Sequence, residues 1–256
     1  MTDARRPIAL VEAAPLPPPP DFLDRLTDAG ITLDPSALPK LGNYLGYLLG
    51  MNEVMNLTAI TDPAQAWEKH IFDALTLLPF LADLPPGSRI VDVGSGGGVP
   101  GIPVAIARPD LEVWLVEATQ KKVSFLSMVA EALGLSRVRA EAGRAEQLRG
   151  GPLAKSFDAV TARAVGRLAE LIPLTAPFAK PGALLLLIKG QRADEELAEA
   201  ARALRSAKIF HELTVPTPTG RIVLLRRDDE DDEEAEDAEE APGKKKPRPK
   251  KKKRAK

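Results

Sequence analysis

The residues best equipped for chemistry lie in Ile90-Val91-Asp92-Val93-Gly94-Ser95-Gly96-Gly97-Gly98-Val99-Pro100-Gly101. An apolar run ends in an acid, and the backbone then passes through a glycine-dense turn into Ile102-Pro103-Val104-Ala105-Ile106-Ala107. A turn with so few side chains at a helix start lets a ligand lie directly on main-chain N–H groups. Two frames fit it. Gly96-x-Gly98-x-x-Gly101 matches the dinucleotide pattern, with Glu117 about 20 residues on to hold a ribose. Asp92-x-Gly94-x-Gly96-x-Gly98 instead sets an acid two residues before the first glycine. In both frames Glu117 closes the next apolar run, where a carboxylate can accept hydrogen bonds from both ribose hydroxyls. A tight turn that binds nothing is the bland reading.

The elements that must position this turn can be read from the pattern. Arg89–Val93, Glu112–Glu117, Arg137–Ala140, Phe157–Thr161 and Ala183–Ile188 read as strands. Helices are predicted over Pro100–Ala107, Thr119–Leu133, Leu168–Phe178 and Asp194–Ser206. Pro181-Gly182 reads as a turn, and Ile209–Val215 with Arg221–Arg226 as a final hairpin. Such alternation predicts an α/β fold: a mostly parallel sheet, covered on both faces, with one antiparallel edge and ligands at the strands' C-terminal ends. Upstream, Leu41, Tyr44, Leu45, Leu48 and Leu49 recur at helical spacing, as do Trp67, Ile71, Leu75 and Leu78. Asp34-Pro35-Ser36 and Asp62-Pro63 look like helix starts. The organisation predicted is a disordered or extended Pro-rich segment over 1–20, a helical extension over 21–84, the α/β domain over 85–227 and a disordered tail over 228–256.

Composition narrows the function classes. With 44% hydrophobic residues the chain can build a core, yet no apolar run approaches the ~20 residues of a membrane span. The N-terminus does not read as a secretory signal, because Ile8–Val11 is short and is followed by Glu12 and a proline run. The absence of cysteine excludes disulfides and thiolate chemistry, and two histidines, His70 and His211, leave little for a metal centre. A cytoplasmic, metal-free, monomeric protein is expected. The net charge of −1 conceals a polarised tail, nearly all acidic from Asp228 to Glu240 and nearly all basic from Lys244 to Lys256.

The side chains also weigh on the choice of ligand. Hydride transfer usually needs an acid or cation beside a carbonyl. Tyr44 and Tyr47 lack a Lys four residues on and read as core, and neither histidine has an obvious proton relay. Methyl transfer asks for less, since the donor arrives activated and the enzyme mainly aligns it with the nucleophile.

The acid-first frame resembles motif I of class I methyltransferases that use S-adenosylmethionine. Further blocks follow in order: Asn56-Leu57-Thr58-Ala59-Ile60, Lys69-His70-Ile71-Phe72-Asp73-Ala74-Leu75, Val99-Pro100-Gly101-Ile102-Pro103 and Glu117-Ala118 into Lys121-Lys122-Val123. Gly143-Arg144-Ala145-Glu146, Thr161-Ala162-Arg163-Ala164-Val165 and Leu187-Ile188-Lys189-Gly190-Gln191 complete the set. Together, over about residues 40–226, they resemble the RsmG (GidB) family of methyltransferases acting on guanine N7 of small-subunit (16S) ribosomal RNA. The resemblance implies a Rossmann-like class I fold, S-adenosylmethionine as cofactor and 16S ribosomal RNA, or the small subunit, as partner. It implies that Gly94 and Val99 line the cofactor pocket and that Glu117 takes the ribose. Ala145 and Glu146 would meet the adenine edge, and Arg163 would lie near the methionine end or the incoming nucleotide. Val99 stands where the family commonly has Phe or Leu, and Ala74 where it often has Ser.

Guanine N7 carries a lone pair and no proton, so no catalytic base is expected. His70, Lys121, Lys122, Arg163, Lys189 and Arg192 are candidates for RNA contact. Each has a plainer reading beside it: His70 as a satisfied half-buried histidine, Lys121-Lys122 as a solvated helix face. Asp73 could only cap or pair, and Asp92 could hold the turn's N–H groups. For the tail, the choice is between a solubilising extension and a basic tether for RNA phosphates.

Overall fold

The computed structural model describes residues 9–163 and 166–229. The tail from residue 230 onward, where the charged runs lie, is outside the described residues, as are Ala164 and Val165.

The N-terminal part is helical: α1 (Phe22–Asp28), α2 (Ala37–Met55) and α3 (Pro63–Ala66), the last capped by Asp62 accepting from the Gln65 N–H at 2.8 Å. The Trp67–Leu78 spacing, which predicts helix, resolves into a π-helical turn (Trp67–Phe72), α4 (Asp73–Leu75) and a 3₁₀ turn from Leu78. Pro79, which has no N–H to donate, cannot continue an α-helix there. α1 clamps the π turn: Phe22 sits edge-on to Trp67 at 4.9 Å, and Arg25 pairs with Glu68 at 2.6 Å. Residues 9–19 have no regular secondary structure but are seated on α2. The Leu16 N–H donates to the Gly42 carbonyl at 3.1 Å, and a Cβ on Gly42 would lie 2.6 Å from the Leu16 oxygen.

The α/β part follows as β1 (Arg89–Val93), α5 (Gly101–Ala107), β2 (Glu112–Glu117), α6 (Gln120–Ala132), β3 (Val138–Ala142) and α7 (Ala145–Leu148). It continues through β4 (Phe157–Arg163), α8 (Leu168–Thr175), β5 (Ala179–Lys189), α9 (Ala193–Glu199), α10 (Ala201–Ser206), β6 (Ile209–Pro216) and β7 (Arg221–Arg227). The seven strands form one sheet in the order β3-β2-β1-β4-β5-β7-β6, with β7 antiparallel to both neighbours. Pro181-Gly182 does not reverse the chain. β5 runs through it as a bulge, its pairing with β4 jumping from Phe157–Ala179 to Ala159–Leu184, with Gly182 at φ 73°. The helix predicted over Asp194–Ser206 is divided at Ala200, which is fully buried.

Period-two alternation divides the core between two faces. Ile90, Ala159, Leu186 and Ile222 pack toward the N-terminal helices, α5 and α6, while Val91, Val160, Leu187 and Val223 pack toward α8 and α10. Asp92, Thr161 and Arg163 share the first parity, so they point under the N-terminal extension.

Candidate functional site

Strand order reverses between β1 and β4, and the glycine turn lies at the C-terminal end of β1 in that crevice. The turn is held from three directions. From below, Asp92 is fully buried; its carboxylate accepts from the Gly101 N–H at 3.2 Å and the Thr161 hydroxyl at 3.0 Å. Burial pushes its pKa up to about 6, against the lowering effect of those donors. From the side, Glu117 accepts from the Gly96 N–H at 3.0 Å and the Thr119 N–H at 2.8 Å, one on each oxygen. From above, the buried Tyr44 hydroxyl donates to the Gly97 carbonyl at 2.9 Å.

The glycines divide by what surrounds them. A Cβ on Gly101 would lie 3.0 Å from Asp92 Oδ2 and collide with Leu115, so this position serves close packing. A Cβ on Gly96 would meet only the Gly94 carbonyl at 3.9 Å, and Gly94 itself is exposed. The open side of the turn is thus a bare-backbone cradle. Glu117 borders it with a lone pair left on each oxygen, acceptors that fit the hydroxyls of a nucleoside. Val99 is half-buried at its rim, and Ala145 and Glu146 begin α7 beyond the end of β3, the former half-buried and the latter exposed.

Next to the cradle, Arg163 and the π turn form a charged cluster. Arg163 donates to the Lys69 carbonyl and, at 3.3 Å, to His70 Nδ1. Arginine can only donate, so Nδ1 is the acceptor and Nε2 carries the proton toward the Thr58 hydroxyl 2.9 Å away. Burial and the adjacent guanidinium pull His70 down to about 4, leaving it neutral near pH 7. Asp73 is buried, with one oxygen accepting from Thr219 of the β6–β7 turn and the other without a partner among the described residues. Burial raises its pKa above the usual carboxylate value. Two positive or protonatable groups expected near RNA therefore differ in kind: His70 is neutral and inward, and Arg163 is spent largely on the π turn.

Lys189 is also inward. Its ammonium donates to the Gly166 carbonyl at 2.5 Å and pairs with Glu196 at 2.8 Å, with the side chain 5% exposed. Arg192 is exposed and bound to Glu195 at 2.8 Å. Lys121 and Lys122 open α6 directly after Glu117, exposed and half-buried respectively. The turn and its supports thus bring Gly94, Val99 and Glu117 together with Arg163 on the neighbouring strand, while Lys121 and Lys122 stand at the start of α6 and Lys189 and Arg192 engage carboxylates of α9. Tyr44, Thr161, Thr58 and Thr219 were not singled out by sequence as site residues. Only Tyr44 carried a signal, since a tyrosine in an apolar helix stripe needs a partner for its hydroxyl.

The profile of the family described as rRNA small subunit methyltransferase G matches residues 37–222. The chain belongs to this family. A relative in Sorangium cellulosum, named Ribosomal RNA small subunit methyltransferase G, is 59% identical over 228 residues, covering 89% of this chain and 95% of its own. One of the same name in Moorella thermoacetica is 40% identical over 179 residues, covering 69% and 74%. Among solved structures, a SAM dependent methyltransferase from Aquifex aeolicus aligns with TM-score 0.50 at 19% identity, covering 64% of this chain and 93% of its own, which establishes the fold. As a member of the methyltransferase G family, the chain is an S-adenosylmethionine-dependent methyltransferase.

Proposed function

We propose that the protein transfers a methyl group from S-adenosylmethionine to N7 of a guanine in 16S ribosomal RNA, acting in the cytoplasm as a metal-free monomer. The observation that carries this reading is the state of the one histidine at the crevice. Both ring nitrogens of His70 are engaged and its pKa is pulled down to about 4, so it is not poised as a proton acceptor near neutral pH. A nucleophile such as N7, which has a lone pair and no proton to lose, needs none.

The cofactor, when bound, supplies a methyl group activated on a sulfonium. Glu117 orients the ribose through its remaining lone pairs, Gly94 and Val99 form the wall, and Ala145 with Glu146 meets the adenine edge. Asp92 and Tyr44 keep the cradle in shape before the ligand arrives. Arg163 holds the π turn in place and presents its remaining donors near the methionine end. Because the guanine ring gains positive charge, the buried carboxylates of Asp73 and Asp92 offset the Arg163 cation there. Lys121 and Lys122 take phosphates of the RNA. N7 is enclosed in the deep groove of A-form RNA, so the target base must be unpaired or extruded.

The test is a map of 7-methylguanosine in 16S ribosomal RNA from cells with and without the gene. Loss of one such nucleotide is expected; an unchanged map overturns the proposal.

A further inference from the structure

The carboxylate of Asp73 is only half used. Asp73 opens α4 directly after the π turn and is 2% exposed. One of its oxygens accepts from the Thr219 hydroxyl, and the other is buried with no partner among the described residues. Arg163 attracts this carboxylate, yet the guanidinium nitrogen that is engaged serves the Lys69 carbonyl and His70. Taking a carboxylate out of water without giving both oxygens donors is costly, and a group left so at the edge of a crevice calls for a ligand that supplies them.

Its place in the fold says which ligand. The cradle and Glu117 crown β1 and β2, so a nucleoside takes that half of the crevice. Thr219 belongs instead to the turn between β6 and β7, which overhangs the end of β5. Gly220 lies so close to the Lys189 carbonyl that a Cβ would not fit, and Lys189 pairs with Arg221. The turn closes on itself: the Thr217 N–H donates to the Gly220 carbonyl at 2.9 Å, and the Gly220 N–H donates to the Thr217 hydroxyl at 3.0 Å. Asp73 therefore belongs to the half of the crevice left for the acceptor of the methyl group.

N7 alone does not identify guanine, because adenine presents the same lone pair there. What guanine has and adenine lacks is N1–H beside a 2-amino group, two donors on one edge that match the two oxygens of a carboxylate. We propose, on the guanine-N7 reading given above, that Asp73 reads this edge of the target base, its oxygens accepting from N1–H and the 2-amino group. Thr219 is the placeholder: its hydroxyl occupies one acceptor site until the base enters and the β6–β7 turn lifts. Both guanine donors gain positive character as N7 is alkylated, so their bonds to Asp73 strengthen toward the transition state while the methyl arrives on the opposite edge. The ammonium of the cofactor's methionine end is the less favoured occupant, because Asp73 is tied to the β6–β7 turn and not to the β1–β2 side.

Inosine, which is guanosine without the 2-amino group, tests this. The full-length chain and S-adenosylmethionine are given small subunits whose 16S ribosomal RNA carries inosine in place of a small fraction of its guanosines. Methyl transfer at the target position is scored separately for the two bases, each normalised to its N7 reactivity toward dimethyl sulfate. The parent should prefer guanosine about 10- to 100-fold, the weight of one hydrogen bond to a charged acceptor. Asp73→Ala should abolish that preference, and the isosteric Asp73→Asn should keep at most a few-fold of it. Cofactor affinity, read by calorimetric titration, should be unchanged in both. Thr219→Val removes the placeholder and not the reader, so it should keep the preference. Equal transfer to guanosine and inosine by the parent overturns this proposal alone, whereas no transfer to guanosine overturns the guanine-N7 reading and this proposal with it. A preference kept in Asp73→Ala with cofactor affinity lost assigns Asp73 to the methionine end and overturns the proposal. Loss of the preference in Thr219→Val as well makes Asp73 an anchor of the turn and overturns it too.

Discussion

Changing Tyr44 to Phe removes one oxygen and nothing else from the fully buried face of α2. It deletes the 2.9 Å hydrogen bond that holds the Gly97 carbonyl and leaves that carbonyl facing apolar surroundings. A buried acceptor stripped of its donor costs about 1–3 kcal/mol. For a folded unit of this size, that amounts to a drop of roughly 2–12 °C in melting temperature. The more discriminating quantity is cofactor affinity. If Tyr44 shapes the cradle in advance, the variant must restore it on binding, and 1–2 kcal/mol of that cost weakens S-adenosylmethionine about 5- to 30-fold. Calorimetric titration of both chains measures this, with Tyr47→Phe, a half-buried neighbour, as the control. A lowered melting temperature with unchanged affinity would refute the positioning role and leave Tyr44 as ordinary core. No change in either would refute the buried bond itself.

Three further predictions concern charge. Burial lifts folded Asp92 from 3.8 to about 6, so acidification through that window favours the folded state; His70, lowered from 6.5 to about 4, works in the opposite direction, disfavouring the folded state as pH falls below 6.5. Asp92→Asn removes the first effect and leaves the second, so denaturant titrations should show about 2 kcal/mol more stability lost between pH 6.5 and 4 than in the parent; equal losses would contradict it. Lys121→Glu with Lys122→Glu should weaken RNA binding at least about ten-fold in filter binding, with a shallower salt slope and cofactor affinity kept; an equal fall in both affinities would make those lysines structural. Lys189→Met should cost about 1–3 kcal/mol in urea unfolding, because it strands Glu196, yet leave RNA affinity unchanged; a loss of RNA binding without a loss of stability would restore Lys189 to the surface.

Much of the scaffold is legible in the sequence, for identifiable reasons. β1 and β2 are apolar runs with abrupt polar ends, so their boundaries Arg89–Val93 and Glu112–Glu117 are read without error. β5 is less clear, because Pro181-Gly182 serves a bulge as readily as a turn and only the pairing with β4 decides. Lys189 shows what alternation could have added: it shares parity with Leu187, which packs toward α8, so its side chain follows that face into Glu196. The contacts of Tyr44 with Gly97 and of Thr219 with Asp73 leave no local trace, since each is a meeting of distant segments created by the topology.

The bond between Thr219 and Asp73 spans 146 residues. The wall of the crevice is therefore built from chain that emerges early in translation and chain that emerges near its end. Cradle, Glu117 and Arg163 are all synthesised before the β6–β7 turn exists to close over Asp73. A chain that ends before Thr219 lacks both the partner of Asp73 and the strand β7. Completion of this wall is thus a late event in synthesis, set by the order in which the chain is made.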